Sequence, residues 1–432
     1  LDLQPAVVGF TTVETQYTYV QEMAAMIKES HPCITVVGGT HITLYPQALL
    51  EENSESLDCG MRGDSEGPFL DLVEKVRKGE EFLDIDNVCF RHPKTGELTQ
   101  NPLRPLEQDL SVLPHPATEL FEYQNIINEN QIALFHFNRG CPYPCTYCSA
   151  QKIALQYGSI KEGLRKRPVE NVIEEIKFTL GKYNVPSETL LFFTDDLFTL
   201  NKDWLYKFLD LYEVEIGRPF WSTARSNTAS DEQFDRLSSA GCRTIMMAIE
   251  SGNDFIRNKV MKRNVSRKVM FRSFELANKY SIKTCAPCVI GVPFETPEMI
   301  EDSINTVAQL NITEKGVNVF YPYRGTPLRT VCEENGFLPD FSKVKAIERK
   351  ESVLNLPTIK KEEIKHYHDN WERLILQRMG GRHNIGSKCK DIYLKLTDNP
   401  LGKKAKHLVD HNRHTRKFKE ATKEILGISN IS

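Results

Sequence analysis

Apolar and polar positions follow two alternating periods along most of this chain. Short apolar runs typical of buried strands, such as residues 6–10 and 35–39, alternate with stretches of helical spacing at 19–30 and 68–78. Strands that alternate with helices favour a parallel sheet, whose ligands lie beyond the carboxyl ends of its strands. We therefore predict an α/β fold.

The alternation of strand-like and helix-like segments is interrupted once and then resumes. Prolines and polar residues predict a linker over 81–131, with a small hairpin around 94–96. Apolar runs then recur with helical stretches between them, and counting the strand before residue 138 gives six βα units. The predicted regions are an α/β domain over 1–80, the linker over 81–131, a six-unit barrel over 132–338 and a charged helical region over 339–432.

Composition narrows the class of protein. A chain of 432 residues with 40% hydrophobic and 26% charged residues predicts several cores, and no apolar run approaches the roughly 18 to 20 residues that span a bilayer. The net charge of -3 gives no general argument for nucleic acid. The chain starts at Leu1 without methionine, basic region or apolar leader, so we predict a cytoplasmic protein whose start is missing.

Three cysteines carry the strongest chemical signal. Cys141, Cys145 and Cys148 have the spacing C-x3-C-x2-C, which can place three thiolates around one iron-sulfur cube and leave one iron open to a ligand. A zinc knuckle is the alternative, but zinc sites usually show paired C-x2-C halves or histidines, and the nearest histidine, His136, lies in the preceding strand. The other cysteines are scattered without a disulfide framework, which favours a reducing compartment.

Polar residues follow the later strands of the barrel. Asp195 could accept hydrogen bonds, Arg225 could hold a carboxylate bidentately, and Glu250 beside Ser251 suits a ribose diol or an amino group. Each has a structural alternative, such as a helix cap, a surface ion pair or a strand-ending turn. Magnesium binding at the adjacent Asp195 and Asp196 is a weaker hypothesis, because no phosphate-binding loop accompanies them.

The cysteine spacing, an aromatic residue before the third cysteine and the six units together resemble the radical S-adenosylmethionine superfamily. The resemblance implies a partial barrel, a [4Fe-4S] cluster on the three cysteines and S-adenosylmethionine as cofactor. It implies that Asp195 faces the methionine amino group and Arg225 the methionine carboxylate. It places Glu250 and Ser251 at the ribose or amino end, and Tyr147 and Ile290 at the adenine.

The N-terminal glycine loops extend this resemblance to the cobalamin-binding members of the superfamily, over roughly residues 1–340. A flavodoxin-like domain is implied, whose strand-end loops hold the corrinoid tail. The implied contact residues are Thr11, Thr12, Gly38, Gly39, His41, Gly63 and Glu66. Two βα units that usually precede the first strand are absent, which we interpret as truncation; the alternative is a domain that no longer holds cobalamin.

The resemblance implies cleavage of S-adenosylmethionine to a 5′-deoxyadenosyl radical, and we predict a cobalamin-dependent methyltransferase acting on an unactivated carbon or phosphorus. Alternatives are a cobalamin-free oxidoreductase or cyclase and a structural or sensing iron-sulfur protein. An RNA methylthiotransferase is disfavoured because a second cysteine triad is missing. We expect a small-molecule substrate and an electron donor such as flavodoxin or ferredoxin, and neither membrane nor nucleic acid. The pattern identifies neither the substrate nor a catalytic acid or base.

Two weaker signals remain. Cys285 and Cys288 form a C-x2-C pair that could be redox-active, but their strand-like surroundings favour buried core residues. The basic excess after residue 388 could bind RNA, but its charges are interspersed with acids, which favours a solvated helical face.

Overall fold

The computed structural model describes residues 3–341, 344 and 349–380. Its first sheet has five strands in the order β1-β2-β3-β4-β5, with parallel pairing from β1 to β3 and antiparallel pairing from β3 to β5. The strands are β1 (Val7–Thr11), β2 (Ile34–Gly38), β3 (Cys59–Met61), β4 (Val88–Arg91) and β5 (Leu98–Gln100). The sheet ends at a hairpin rather than at a further βα unit.

That hairpin lies within the segment 81–131 that the sequence predicts as a linker. The prediction of a hairpin near residues 94–96 is confirmed, because β4 and β5 flank the turn. Val88, Cys89 and Phe90 are buried against the first sheet, so this part of the segment belongs to the N-terminal core. Pro93 lies in the turn of the hairpin and the other prolines of the segment follow β5, so its ladder hydrogen bonds are intact.

A second set of strands forms the predicted partial barrel. Parallel pairing gives the order β12-β11-β10-β9-β6, and a further parallel pair, β13-β14, continues it through an isolated bridge between Glu250 and Cys288. The strands are β6 (Ile132–Phe135), β9 (Leu190–Phe193), β10 (Phe220–Thr223), β11 (Cys242–Met246), β12 (Lys283–Cys285), β13 (Cys288–Ile290) and β14 (Val317–Val319). A short antiparallel pair, β7 (Asn138–Arg139) and β8 (Arg165–Lys166), flanks the cysteine loop. Because β12 and β13 continue one another across two residues, the barrel has six strand positions, as predicted.

Helices cover the outside of both sheets. Those of the first domain and the connection are α1 (Tyr17–Ser30), α2 (Thr40–Leu44), α3 (Glu66–Lys78) and α4 (Tyr123–Asn130). Those of the barrel are α5 (Ala150–Leu155), α6 (Ile160–Gly163), α7 (Val169–Lys182), α8 (Lys202–Glu215), α9 (Asp231–Ser239), a π-helical turn (Ile256–Val260), α10 (Arg267–Lys279), α11 (Pro297–Gln309) and α12 (Pro327–Glu334). Side chains of Asn201, Ser230 and Ser266 cap α8, α9 and α10 by accepting backbone N–H groups.

The last described helix is α13 (Lys361–Met379), which packs against α11 through Ile364, Trp371 and Ile375. The rest of the predicted C-terminal region, residues 381–432 with its basic excess, lies outside the described residues. Among the described residues, no helix is both long enough and apolar enough to cross a membrane.

Candidate active site

The cysteine loop follows β7 at the carboxyl ends of the barrel strands and is held by three neighbours. Thr146, between the second and third cysteines, accepts the Leu328 N–H at 2.9 Å through its carbonyl. Its own N–H donates to the Met261 carbonyl at 3.1 Å, and its hydroxyl donates to the Val260 carbonyl at 2.7 Å. These bonds tie the loop to the segment after β11 and to the start of α12.

The three thiols lie within electrostatic range of one another. Burial raises the pKa of Cys148 to about 11 and that of Cys141 above its usual value, and the charges of Cys145 and Asp196 raise both further. In the described part of the chain, no three His, Cys, Asp or Glu side chains converge on one metal ion. A four-iron cube binds each thiolate on a different iron, so its ligands need not meet at a point. The donor set therefore fits a [4Fe-4S] cluster.

Asp195 anchors the segment that leads into this loop. Its carboxylate accepts the N–H groups of Phe137 at 2.6 Å and Asn138 at 2.9 Å, and the Asn138 side-chain amide at 2.9 Å. Burial raises its pKa, and His136 lies 3.8 Å away. The structure thus gives Asp195 a backbone-holding role, and its contact with a methionine amino group stays a prediction. Asp196, the neighbouring acid in the magnesium hypothesis, is the exposed carboxylate of the pair.

Arg225 lies directly beside the cysteine loop. Its guanidinium donates to the Cys145 sulfur at 3.6 Å, lies 3.8 Å from the centre of the Tyr143 ring and donates to the Arg263 carbonyl. Its Nε is buried without a partner in the structure. A free donor next to the cluster ligands is compatible with the predicted carboxylate contact.

Tyr147 and Glu250 are hydrogen-bonded to each other, and both contact Arg263, a residue that the sequence analysis missed. The Tyr147 hydroxyl donates to Glu250 at 2.8 Å, while Arg263 donates to the Tyr147 oxygen at 3.1 Å and lies 3.4 Å from the Glu250 carboxylate. Burial and the Glu250 charge raise the pKa of Tyr147; burial opposes the charge of Arg263, but Tyr147 and Glu250 hold its pKa high. Glu250 has a φ of 64°, which few non-glycine residues adopt. No periodic signal marks Arg263, because it lies in an irregular segment after the π-helical turn.

Ser251 and Ile290 lie near this cluster with side chains packed into the protein. The Ser251 hydroxyl lies 3.3 Å from that of Ser303 on α11. Ile290 belongs to the core between the strands and helices α11 and α13. The predicted cofactor contacts of both residues stay predictions.

The strand ends of the first sheet approach one another through backbone. Thr12 donates its N–H to the Gly38 carbonyl at 3.0 Å, and His41 donates its own to the Thr12 carbonyl at 3.3 Å. Gly39 has a φ of 96°, and a Cβ there would lie 2.5 Å from the Thr12 oxygen, so this turn requires glycine. Thr11 ends β1 at the same edge.

His41 is buried between aromatic rings. Its ring centre lies 4.8 Å from that of Tyr17 and 5.9 Å from that of Tyr45, and burial lowers its pKa to about 4. The imidazole is therefore neutral and packed at neutral pH. Its predicted nearness to a corrinoid stays a prediction.

The loop after β3 contacts the barrel. Asp64 is an ion-pair partner of both Arg139 and Arg165, and Glu66 also pairs with Arg139. A Cβ at Gly63 would overlap the Tyr157 hydroxyl, which accepts the Asp64 N–H at 2.9 Å. Two predicted corrinoid residues, Gly63 and Glu66, thus contact the barrel.

A second ionic contact joins the two domains beside the last strand of the barrel. Glu14 accepts hydrogen bonds from the Arg324 backbone at 2.7 Å and side chain at 3.1 Å, and lies 3.6 Å from Arg329. Arg324 also lies 3.4 Å from Glu51. The first contact adjoins β7 and the second follows β14, so the first domain is held near both the first and the last strand of the barrel.

A cavity of about 280 Å³ adjoins the Asp64 contact, lined by Thr40 and Asp64 of the first domain and by His136, Cys148 and Asp196 of the barrel. It joins the glycine-rich strand ends to the cysteine loop. A corrinoid held by the first sheet would face the cysteine loop from this side, and the turn at Gly39, which has no room for a side chain, would allow its close approach.

Comparison with known proteins agrees with this arrangement. Residues 135–307 match the family model of the radical SAM superfamily, where SAM is S-adenosylmethionine, and residues 1–73 match that of the B12 binding domain. The uncharacterized methyltransferase PH0819 of Pyrococcus horikoshii is 27% identical over 77% of this chain and 71% of its own length. An anaerobic magnesium-protoporphyrin IX monomethyl ester cyclase of Rubrivivax gelatinosus is 26% identical over 72% of this chain, which spans 55% of the cyclase.

Solved structures show the same fold. The cobalamin-dependent S-adenosylmethionine radical enzyme OxsB, with aqua-cobalamin and S-adenosylmethionine bound, aligns with a TM-score of 0.67 at 13% identity. The alignment covers 99% of this chain and 68% of OxsB. Both domains therefore have counterparts in one known architecture.

Proposed function

We propose that this chain, which belongs to the cobalamin-binding radical S-adenosylmethionine enzymes, methylates an unactivated carbon or phosphorus of a small molecule. The observation that carries the proposal is the cavity between the domains, which places the strand ends of a B12-binding domain opposite Cys148. A methyl donor and a radical generator are useful to one reaction only when they face a common space. The methyltransferase class of PH0819 supports the same conclusion.

The cofactors supply the difficult chemistry. Cys141, Cys145 and Cys148 would hold a [4Fe-4S] cluster with one iron left for S-adenosylmethionine. When bound, the reduced cluster and S-adenosylmethionine supply one-electron cleavage of a carbon–sulfur bond and hydrogen abstraction, and cobalamin supplies the methyl group. The first-sheet turn at Gly39 would approach the corrinoid tail through backbone.

The residues of the chain bind, orient and exclude water. Arg225 presents an unpartnered buried donor beside Cys145, suited to a carboxylate. Arg263 lies 3.4 Å from the buried Glu250 carboxylate, whose oxygens can accept hydrogen bonds from a hydroxyl or an ammonium. Because these groups are buried and held by one another, little reorganisation is needed when a cofactor binds.

The predicted cluster also bears on the electron donor of the protein and on its cellular compartment. Its reduction needs a one-electron donor, and we propose a flavodoxin or ferredoxin. We also propose a cytoplasmic location, because reduced compartments keep cluster thiolates available.

The test is anaerobic reconstitution with iron and sulfide, followed by incubation with dithionite, S-adenosylmethionine and hydroxocobalamin. We expect 5′-deoxyadenosine and about one corrinoid per chain. Cys145→Ser should abolish deoxyadenosine, whereas Cys33→Ser, at a partly exposed cysteine far from the loop in sequence, should not.

Either half of the proposal can fail separately. Deoxyadenosine without bound corrinoid would favour a cobalamin-free oxidoreductase or cyclase. Failure to form both the cluster and deoxyadenosine would overturn the radical assignment itself.

A further inference from the structure

A second cavity, of about 380 Å³, is larger than the one between the domains. It is called here the basic cavity, and its lining comes from three segments: Asn138, Arg139 and Gly140 before the cysteine loop, Leu164, Arg165 and Lys166 at β8, and Leu197, Leu200 and Asn201 after β9. Arg139, Gly140 and Arg165 line both cavities, so the two adjoin one another. None of the three cysteines of the loop lines the basic cavity, and a ligand there would lie beside the radical site, not in it.

The charged side chains that line the basic cavity are all cations, Arg139, Arg165 and Lys166. Arg139 pairs with Asp64 and Glu66 of the first domain, and Arg165 pairs with Asp64. Neither acid lines the basic cavity, although Asp64 lines the cavity between the domains. An anion that enters the basic cavity would therefore meet positive side chains and no carboxylate of the lining.

Lys166 has donors left for such an anion. Its ammonium donates to the Phe198 carbonyl at 3.0 Å and lies 3.6 Å from the centre of the Trp204 ring, and an ammonium has three N–H groups. Burial lowers the pKa of Lys166 to about 7, while the charge of Asp195 acts in the opposite direction. Asn201 is the N-cap of α8, so the positive end of that helix dipole also lies at the basic cavity.

Two buried polar side chains of the lining each have one atom without a hydrogen-bond partner among the described residues. Arg165 is 6% exposed and its Nε is such an atom, and Asn138 is 7% exposed and its Oδ1 is the other. The side-chain nitrogen of Asn138 donates to Asp195, so the free atom is an acceptor. Buried polar groups usually have a partner. A ligand in the basic cavity that both accepts and donates would supply the two missing partners.

These two free atoms decide which anion fits. A carboxylate or a sulfate ester offers acceptors alone at neutral pH, which would satisfy Arg165 but leave Asn138 without a donor. A phosphate monoester has a second pKa of about 6, so it can keep one O–H donor beside its acceptor oxygens. The leucines of the lining, Leu164, Leu197 and Leu200, leave an apolar space for the carbon part of the ester.

We propose that the basic cavity binds a phosphate monoester of a small molecule, with Arg165 and Lys166 donating to the phosphate oxygens and the phosphate O–H donating to Asn138. The site goes beyond the proposed methyl transfer and does not depend on it. A bound ester would place its negative charge beside Arg139 and Arg165, the two arginines that hold Asp64 of the first domain. Occupancy of the basic cavity would therefore act on the contact between the domains.

The experiment compares phenyl phosphate with phenyl sulfate by calorimetry at pH 5.5, on the full chain reconstituted with iron and sulfide. At this pH most of the phosphate ester carries one charge and one O–H, whereas the sulfate ester carries one charge and no O–H. We expect one phenyl phosphate per chain, bound about tenfold or more tighter than phenyl sulfate, since the sulfate leaves the buried Asn138 acceptor unpaired. The readout is binding alone, so failure of the radical chemistry leaves it unchanged.

Two further ligand measurements define the site. Saturating S-adenosylmethionine should leave the affinity for phenyl phosphate unchanged, because none of the three cysteines of the loop lines the basic cavity. Inorganic phosphate should bind more weakly than phenyl phosphate, since it has no apolar part to contact the leucines.

Two pairs of variants locate the ligand. Lys166→Met should weaken phenyl phosphate binding by about tenfold or more, whereas Lys177→Met, at an exposed lysine of α7, should change it by less than about twofold. If circular dichroism shows that Lys166→Met is unfolded, Leu200→Glu takes its place. Leu200→Glu puts a negative charge in the lining and should weaken binding by about tenfold or more, and Leu200→Gln, of similar size and uncharged, should weaken it less.

Five outcomes would overturn the proposal. Equal affinity for phenyl sulfate would reject the contact between a phosphate O–H and Asn138. Equal affinity for inorganic phosphate would reject an ester as the ligand. Equal effects of Lys166→Met and Lys177→Met, or of Leu200→Glu and Leu200→Gln, would place the ligand elsewhere. Competition by S-adenosylmethionine would place it in the radical site, and no binding of phenyl phosphate would reject the basic cavity as a phosphate site.

Discussion

The carboxyl-end edge of the barrel and that of the first sheet face each other across the cavity between the domains, and different kinds of group line them. The barrel edge carries buried charged side chains, with Arg225, Glu250 and Arg263 linked to one another and to the cysteine loop. The edge of the first sheet carries glycine and backbone at Gly39, and the acids of its loops are directed at arginines of the barrel. One edge is suited to chemistry on a polar cofactor, and the other to close approach and docking.

The comparison is tested most strongly at Arg263. Arg263→Met removes the cation beside buried Glu250, which costs folding stability and leaves the Glu250 carboxylate free to move away from the cofactor; we expect a loss of about 2.8 kcal/mol in binding, about a hundredfold in affinity. We expect S-adenosylmethionine affinity to fall by that order while corrinoid affinity stays unchanged, both measured by equilibrium dialysis. Arg236→Met, at a surface arginine of α9, is the control. Equal loss of both cofactors would contradict a division of labour between the edges.

The docking role predicts a stability effect at Asp64. Asp64→Asn leaves the buried Arg165 without its anion, so we expect the free energy of unfolding to fall by about 2 kcal/mol, measured by urea denaturation. The matched control Glu66→Gln removes a more exposed partner of Arg139 and should cost less than about 1 kcal/mol. Similar costs for the two variants would show that burial does not distinguish these contacts.

The glycine turn predicts a smaller effect on corrinoid binding. Gly39→Ala forces a Cβ against the Thr12 oxygen, and we expect about a tenfold loss of affinity for hydroxocobalamin, about 1.4 kcal/mol, by equilibrium dialysis. Gly79→Ala is the control, because Gly79 also has a positive φ of 72° but nothing within 4 Å of the added methyl group. Unchanged corrinoid affinity in Gly39→Ala would remove this turn from the binding edge.

The last prediction concerns the response of His41 to acid. Its pKa is about 4 in the folded chain and near 6.5 when unfolded, so the unfolded state binds more protons between these values. The contribution of neutral His41 to the free energy of unfolding is complete above pH 6.5 and is lost as the pH falls toward 4. In urea denaturation, His41→Asn should therefore weaken the fall of stability between pH 7 and pH 5. An unchanged pH slope would show that His41 is not held neutral by burial.

Local pattern predicted much of this molecule. The βα rhythm, the hairpin near residue 95 and the position of the cysteine loop follow from period, turn residues and spacing. The bonds of Asp195 to the Phe137 and Asn138 backbone were not predictable, because they depend on how β6 lies against β9. The role of Arg263 was not predictable for a related reason. Its partners come from three separate segments, and its own segment has no helical or strand periodicity.

The contact between Gly63 and Tyr157 has a consequence for how this protein can change over generations. The Tyr157 hydroxyl occupies the space that any side chain at position 63 would need, although the two residues belong to different domains. A substitution at either position alone meets steric overlap or leaves a gap. Related sequences should therefore pair glycine at the first position with a large residue at the second, and change both together.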